Sequence, residues 1–223
     1  TKIHFHANSS FHVAGTLISD GTKEKPILFT SERLEEEYSD IPGQWNGIWL
    51  MPGSNNNVIN YTNIKNAITG IQVDSIGNNA SLALTLSNSK IMHMTYAGIH
   101  ARGTTIKGYN NVISNCGKYA VALTQGGSYE FYHTTIANYW TTSTRNTPSL
   151  LLNNYNKDNQ ERELKKAQFN NCIIYGNNVY ELGFDSLKPS EAMNYKFEHC
   201  LIKTGQEIQT PGSNYNNIIE NSE

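Results

Sequence analysis

Apolar and polar residues alternate in short bursts along most of the chain, and the bursts repeat. Phe169-Asn170-Asn171-Cys172-Ile173-Ile174 is echoed by Phe197-Glu198-His199-Cys200-Leu201-Ile202 and by Phe131-Tyr132-His133-Thr134-Thr135-Ile136. Aligned on the last Ile, earlier copies place Ile64, Ile91 and Ile113 in the same slot, with steps of 27, 22, 23, 38 and 28 residues between successive anchors. A unit in the low twenties with insertions fits one turn of a β-solenoid. Five residues before each anchor stand Ile59, Leu86, Gly108, Phe131, Phe169 and Phe197, apolar apart from the glycine. Two before stand Thr62, Ser89, Asn111, Thr134, Cys172 and Cys200. Alternate residues of a strand share a face, so these and the anchors face one way. The column five back has the opposite parity, which demands a corner between. Tyr61, Asn88, Asn110, His133, Asn171 and His199, three before the anchor, are polar, turn-prone residues for it.

A second corner falls two residues after the anchor, at Asn66, His93, Asn115, Asn138, Gly176 and Thr204. Asn and Gly accept a left-handed backbone, so Asn66, His93, Asn115 and Asn138 are expected to form a ladder of equivalent corner residues. Further strands follow at Gly70–Val73, Gly98–Ala101 and Ala120–Leu123. Helical periodicity is absent except weakly near Asp158–Lys166, where Asp158 is placed to cap a short helix and Glu161 and Lys165 to pair along it. A β-sandwich gives no reason for matched columns at this spacing. The predicted fold is all-β, a single-stranded parallel β-helix of about 22–28 residues per coil. One domain spans 1–223, with N-terminal coils at 1–56, regular repeats at 57–205, an insertion at 141–166 and a tail at 206–223.

Composition fits that picture. Among 223 residues there are 29 Asn but only 16% charged residues, so the chain is polar without being charged. In-register stacking puts like residues above each other about 4.8 Å apart, where an amide is tolerated and a charge repels its copies. The balance of 17 basic against 19 acidic residues, with no basic block, argues against nucleic acid as a partner. No apolar run is long enough to span a membrane. The chain begins at Thr1 inside an alternating stretch, which points to a removed leader or to excision from a longer protein. Cys116, Cys172 and Cys200 lack metal-type spacing and read as buried, unbonded thiols, with Cys172 and Cys200 in neighbouring coils. No metal or cofactor is expected.

The Phe-x-Asn-Cys-x-Ile pattern, followed by Asn and a Gly-Ile strand, resembles the right-handed parallel β-helix repeat of the pectate-lyase-like superfamily over about residues 57–205. The N-terminal pieces Phe11–Leu17, Pro26–Ser31 and Gly43–Ile48 resemble the first coils of uncharacterised surface or secreted β-helix proteins of Bacteroides-type bacteria. For an enzyme, the resemblance implies cleavage of an acidic polysaccharide. A lyase would carry a cluster of calcium-binding carboxylates with an Arg or Lys base, and a hydrolase a tight group of Asp. Here only five Asp occur, none adjacent, and the Asn-Thr-Asp, Gly-His-Gly and Arg-Ile-Lys-like signatures are missing.

One constellation remains. Gln72 and His100 share an outward column with Ala122, and Asp74, Arg102 and Thr124 share the column two residues on. His100 is a candidate general base and Arg102 a candidate bidentate partner for a sugar carboxylate, beside Asp74; the bland alternative is a surface ion pair with a bystander histidine. Tyr119 and Trp140, with Tyr96, Tyr109, Tyr129, Tyr132 and Tyr139, are candidate platforms for sugar rings, and Gln72 a candidate hydrogen-bonding partner. The excursions at 31–44 and 141–166 are loops that could shape a binding face. The expected function is a non-catalytic secreted or cell-surface module that binds glycans or another surface protein, with a lyase or glycosidase as the alternative.

Overall fold

The computed structural model describes residues 1–74, 81–187, 193–205 and 214–220. Within them the chain is all-β and the helical content is one 3-10 turn at Glu36–Tyr38. None of the described helices is long and apolar enough to cross a membrane. The strands form two sheets, of nine and thirteen strands. The first runs from Lys2–Phe5 and Ile27–Ser31 through Thr62–Lys65, Lys90–Met94, Val112–Cys116, Thr135–Asn138 and Ile173–Gly176 to Leu201–Ile202 and Ile219–Glu220, each strand beside the next in that order. The chain visits the second sheet between successive strands of the first, and the ladders of both are parallel.

Registration is set by the apolar columns, because a one-residue slip would turn a whole strand inside out. Ile64, Ile91, Ile113, Ile136, Ile174 and Ile202 are successive ladder partners, all buried. Phe29 and Ile3 extend the column toward the N-terminus. In the second sheet Ile59, Leu86, Gly108, Phe131, Phe169, Phe197 and Tyr215 are likewise partners in turn. The Phe131 and Phe169 rings stack at 5.4 Å, and the Phe169 and Phe197 rings at 4.9 Å. Gly108 interrupts this column for a steric reason: a Cβ there would lie 2.4 Å from the Phe131 ring.

The polar residues two before each anchor are buried and bonded along the stack. Thr62 N–H donates to Ser89 Oγ at 3.1 Å, and Ser89 N–H donates to Asn111 Oδ1 at 3.0 Å. Cys172 and Cys200 occupy the same column farther on as free, buried thiols. Each S–H has two carbonyls within reach, Asn170 O at 3.3 Å and Phe131 O at 3.5 Å for Cys172, and Glu198 O at 3.3 Å and Phe169 O at 3.4 Å for Cys200. Burial pushes the third thiol, Cys116, up to about 12.

The corner three before the anchor is left-handed in every repeat: Tyr61, Asn88, Asn110, His133, Asn171 and His199 have φ between 45° and 55°, and Asn217 continues the series at 51°. Asn110 Nδ2 donates to Asn88 Oδ1 at 2.8 Å, and Asn88 Nδ2 donates to Asn60 Oδ1 at 2.8 Å, so the amides form a chain along the corner. Asn88→Ala is expected to cost about 1–2 kcal/mol, because alanine keeps the Cβ that disfavours this region and lacks the polar side chain by which Asn offsets it, and Asn88→Gly less, because Gly carries no such penalty. Urea unfolding of both checks this; both variants delete the amide, so equal losses would mean that the amide chain, not backbone conformation, dominates.

The other corner departs from expectation. Asn66, His93 and Asn115 are left-handed, with φ of 67°, 60° and 53°. Asn138 is not: it remains in the strand Thr135–Asn138, opposite Gly176, fully buried. Its amide instead accepts from Cys116 N–H at 2.7 Å and donates to Cys116 O at 2.9 Å. The chain runs straight there because it leaves into the segment that carries Trp140 and Arg145 rather than turning directly into the next strand.

Three further expectations change. Leu150–Asn153 and Leu164–Asn170 are strands of the second sheet, paired with the long strand Tyr119–Tyr132 through Val121↔Leu150 and Phe131↔Phe169, so 150–153 and 164–166 of the expected insertion at 141–166 belong to the sheet. Asp158 caps no helix. It lies in a turn built by Asn156, whose Oδ1 accepts from the N–H groups of Asp158 and Gln160. These local bonds compete with a helix. Finally, 214–220 is not a tail but adds one strand to each sheet, with Tyr215 beside Phe197 and Ile219 beside Leu201. The remainder of 206–223 lies outside the described residues.

Candidate functional site

The outward columns of the second sheet assemble the candidate groups. His12, Trp49, Gln72, His100, Ala122, Leu151 and Gly183 are successive partners, so one residue per repeat projects at the same height. Two residues on, Asp74, Arg102 and Thr124 form the parallel column. Inward neighbours Ile71, Val73, Ile99 and Ala101 are buried and hold the strands flat against the core.

Asp74 is the centre of this arrangement. Its carboxylate accepts from Arg102 Nε at 2.6 Å and Arg102 Nη2 at 2.5 Å, from Gln72 Nε2 at 3.0 Å and from Trp49 Nε1 at 2.7 Å. The Asp74 side chain is 7% exposed and that of Arg102 38%. Burial by itself would raise the Asp74 carboxyl, but the bonds from Arg102, Gln72 and Trp49 outweigh it and hold the group below the usual carboxylate range. The same pairing raises Arg102. This is a bidentate, charge-assisted contact with little solvent around the acid, and it uses one N–H on Nε and one on Nη2 of Arg102.

His100 stands beside this network. Its Nε2 lies 3.4 Å from Thr124 Oγ1, and its ring meets that of Tyr96 at 5.6 Å and 63°. Tyr96 in turn meets Tyr119 edge-on at 6.2 Å. Burial first, and the Arg102 cation second, push the imidazole below the usual histidine range. The folded protein therefore takes up this proton at lower pH than the unfolded chain, whose histidines titrate near ~6.5. Stability is full above that value and falls as pH drops through it. His100→Gln is expected to flatten the decline in thermal midpoint between about pH 7 and 5. His93, also depressed by burial, keeps part of the slope. An unchanged profile in the variant would place His100 in contact with water.

Trp140 is not an exposed platform. It is 7% exposed, its indole N–H donates to Ser143 Oγ at 2.9 Å, and Asn177 Nδ2 donates to its carbonyl. Beneath it lies a buried ion pair that the motif reading missed. Arg145 Nη2 donates to Glu181 Oε1 at 2.6 Å, and both side chains are wholly buried. Nothing in either residue's local sequence announces this, because the partners are brought together only by the stacking of rounds. Asn66 and His93 also have a role beyond the corner. Asn66 Nδ2 donates to Tyr38 O and Ser39 O, and His93 Nε2 lies 3.6 Å from Asp40, so this corner ties down the excursion at 31–44.

One feature with ligand-sized room was also not anticipated. A shallow open cleft of about 210 Å³ lies over the first rounds of the second sheet, lined among others by Ser10, His12, Asn46, Trp49, Thr69 and Gln72. His12 and Trp49 meet edge to face at 5.1 Å. Gly47 supplies part of the floor, with φ of 117° and a backbone approach to Thr69 that leaves no room for a Cβ. The signal was the outward column itself: it extends two rounds toward the N-terminus from Gln72, through Trp49 to His12. No group of metal-ligating side chains occurs among the described residues. Comparison with known family models, curated proteins and solved structures finds no match to this chain.

Proposed function

We propose that the chain is a right-handed parallel β-helix of the pectate-lyase-like kind and acts as a non-catalytic module of a secreted or cell-surface protein, presenting a face to glycans or to another protein. The wholly parallel ladders and the return of each round to the same two sheets support the architecture. The observation that carries the functional reading is the burial and full hydrogen bonding of the Asp74 carboxylate. A general acid or base must exchange a proton with its substrate. Asp74 is buried and accepts four hydrogen bonds, two of them from Arg102 Nε and Nη2. His100 is left with a hydroxyl and an aromatic edge for neighbours.

The test is a degradation assay on uronate and neutral polymers, followed by unsaturated product and by reducing ends, run beside a glycan array and capture of surface proteins. Retention without turnover is the expected result. Product formation that disappears in His100→Ala or Arg102→Ala would overturn the reading in favour of a lyase or glycosidase acting on an acidic polysaccharide. Fractionation of producing cells checks the location, and recovery of the protein in the cytosol alone would contradict it.

A further inference from the structure

The geometry points to the cleft at Trp49 as a binding site for a neutral sugar residue, with the Asp74–Arg102 pair as its positioning device. This rests on the glycan-binding reading above and narrows it to one place and one chemical class.

Three observations converge. The first is the donor and acceptor balance. Asn46 commits both amide N–H groups, to Asn8 O at 2.8 Å and Ser10 Oγ at 3.0 Å, and Gln72 commits one of its two to Asp74. Asn46 therefore offers a ligand its carbonyl oxygen, Gln72 a carbonyl oxygen and one N–H, and the Ser10 and Thr69 hydroxyls complete the polar lining. A wall of neutral groups that mixes acceptors with donors calls for a ligand that does both, and hydroxyl groups do so. The second is charge. Neither Lys nor Arg lines the cleft, and the nearby Arg102 guanidinium is held by Asp74. A carboxylate ligand would find neither Lys nor Arg there to offset its desolvation. That selects against uronates and in favour of neutral rings. The third is rigidity. The Trp49 indole is fixed at one edge by its N–H bond to Asp74, and Asp74 is fixed by the Arg102 fork. Trp49 is thus a half-exposed ring held in one orientation, which lowers the ordering cost of stacking a sugar on it. The cleft volume of about 210 Å³ suits one sugar residue of a longer chain.

Trp49 is also a built-in reporter. Of the three Trp, Trp45 and Trp140 are buried, at 1% and 7% exposure, so a ligand in the cleft perturbs chiefly Trp49 emission. The full chain is titrated with neutral gluco-, galacto-, manno- and xylo-oligosaccharides and with oligogalacturonates, by tryptophan emission and by calorimetry. Saturable binding of at least one neutral oligosaccharide is expected, insensitive to salt because no charge pairing is involved. Trp49→Ala is expected to weaken it at least about tenfold, while Trp49→Phe keeps a ring and most of the affinity. Arg102→Met, which frees Asp74 and unpins the indole, weakens binding without removing any group that lines the cleft; Arg102→Lys restores part of it. Circular dichroism and the thermal midpoint of each variant confirm folding. Glycan binding that survives Trp49→Ala, or that is confined to uronates and fades with salt, would overturn the cleft assignment while leaving a glycan-binding module. Absence of binding to any sugar would overturn the glycan-binding reading itself.

Discussion

Glu181→Ala is expected to destabilise the protein by about 3–5 kcal/mol, the usual consequence of stranding one member of a buried ion pair. The Glu181 carboxylate accepts from both terminal nitrogens of Arg145, at 2.6 and 3.0 Å. It also accepts from Ser149 Oγ at 2.5 Å and from the backbone N–H groups of Ser149 and Asn178 at 2.9 and 2.8 Å. Removing it leaves the Arg145 guanidinium in a buried site, where Asn138 O, Thr147 O and Asn177 Oδ1 are its remaining acceptors. It also releases the turn that carries Trp140 over the core. The converse holds as well. Replacing both partners by apolar residues, as in Arg145→Met with Glu181→Leu, should recover much of the loss, because the desolvation cost of the two charges disappears with them. Urea unfolding of the single and double variants measures this. A single-variant loss within about 1 kcal/mol would show that the pair is hydrated and contributes little.

Phe169→Ala should cost about 3–5 kcal/mol, in the range for a buried phenylalanine. The ring is wholly buried and lies between two others, Phe131 at 5.4 Å and Phe197 at 4.9 Å. A cavity at that position interrupts a continuous column, and the neighbouring rings cannot collapse into it without breaking the register of three strands. Phe169→Leu should cost less, since it retains part of the volume. The loss is read from the denaturation midpoint at constant slope. An unchanged midpoint would mean that the aromatic stack does not hold adjacent rounds together. Neither substitution touches the Trp49 cleft, which lies several rounds away along the second sheet, so sugar binding at saturating protein stability should be unaltered.

Most of the fold was legible in the chain because the information is local and repeated. The six anchor isoleucines, from Ile64 to Ile202, and the column from Ile59 to Phe197 could be aligned by eye, and the ladders pair those same residues. Like residues recur at the spacing at which the strands pair, so that spacing carries the order of strands in the two sheets. The low charge and abundant Asn follow from the same stacking. Register then dictated that Asp74 lies beside Arg102 and Gln72 beside His100, which the pairing reproduces.

What the repeat could not determine was the behaviour of side chains that break the pattern. Asn138 sits in the slot that makes Asn66 and Asn115 left-handed, yet it stays extended, because the chain beyond it departs to form the Arg145 segment. The strand Leu150–Asn153 was hidden inside an apparent insertion, since its partners are fixed by the sheet and not by distance from an anchor. Trp140 read as an exposed aromatic and is buried, whereas Trp49 attracted no notice and lines the cleft. The Asp74–Arg102 contact could be foreseen, but not its burial or the indole and amide that complete it. Sequence periodicity specifies which residues stack, because stacking is a nearest-neighbour property of the repeat. Whether a stacked polar group is free to meet a ligand depends on hydrogen bonds and burial contributed from several rounds at once, and only the tertiary structure decides that.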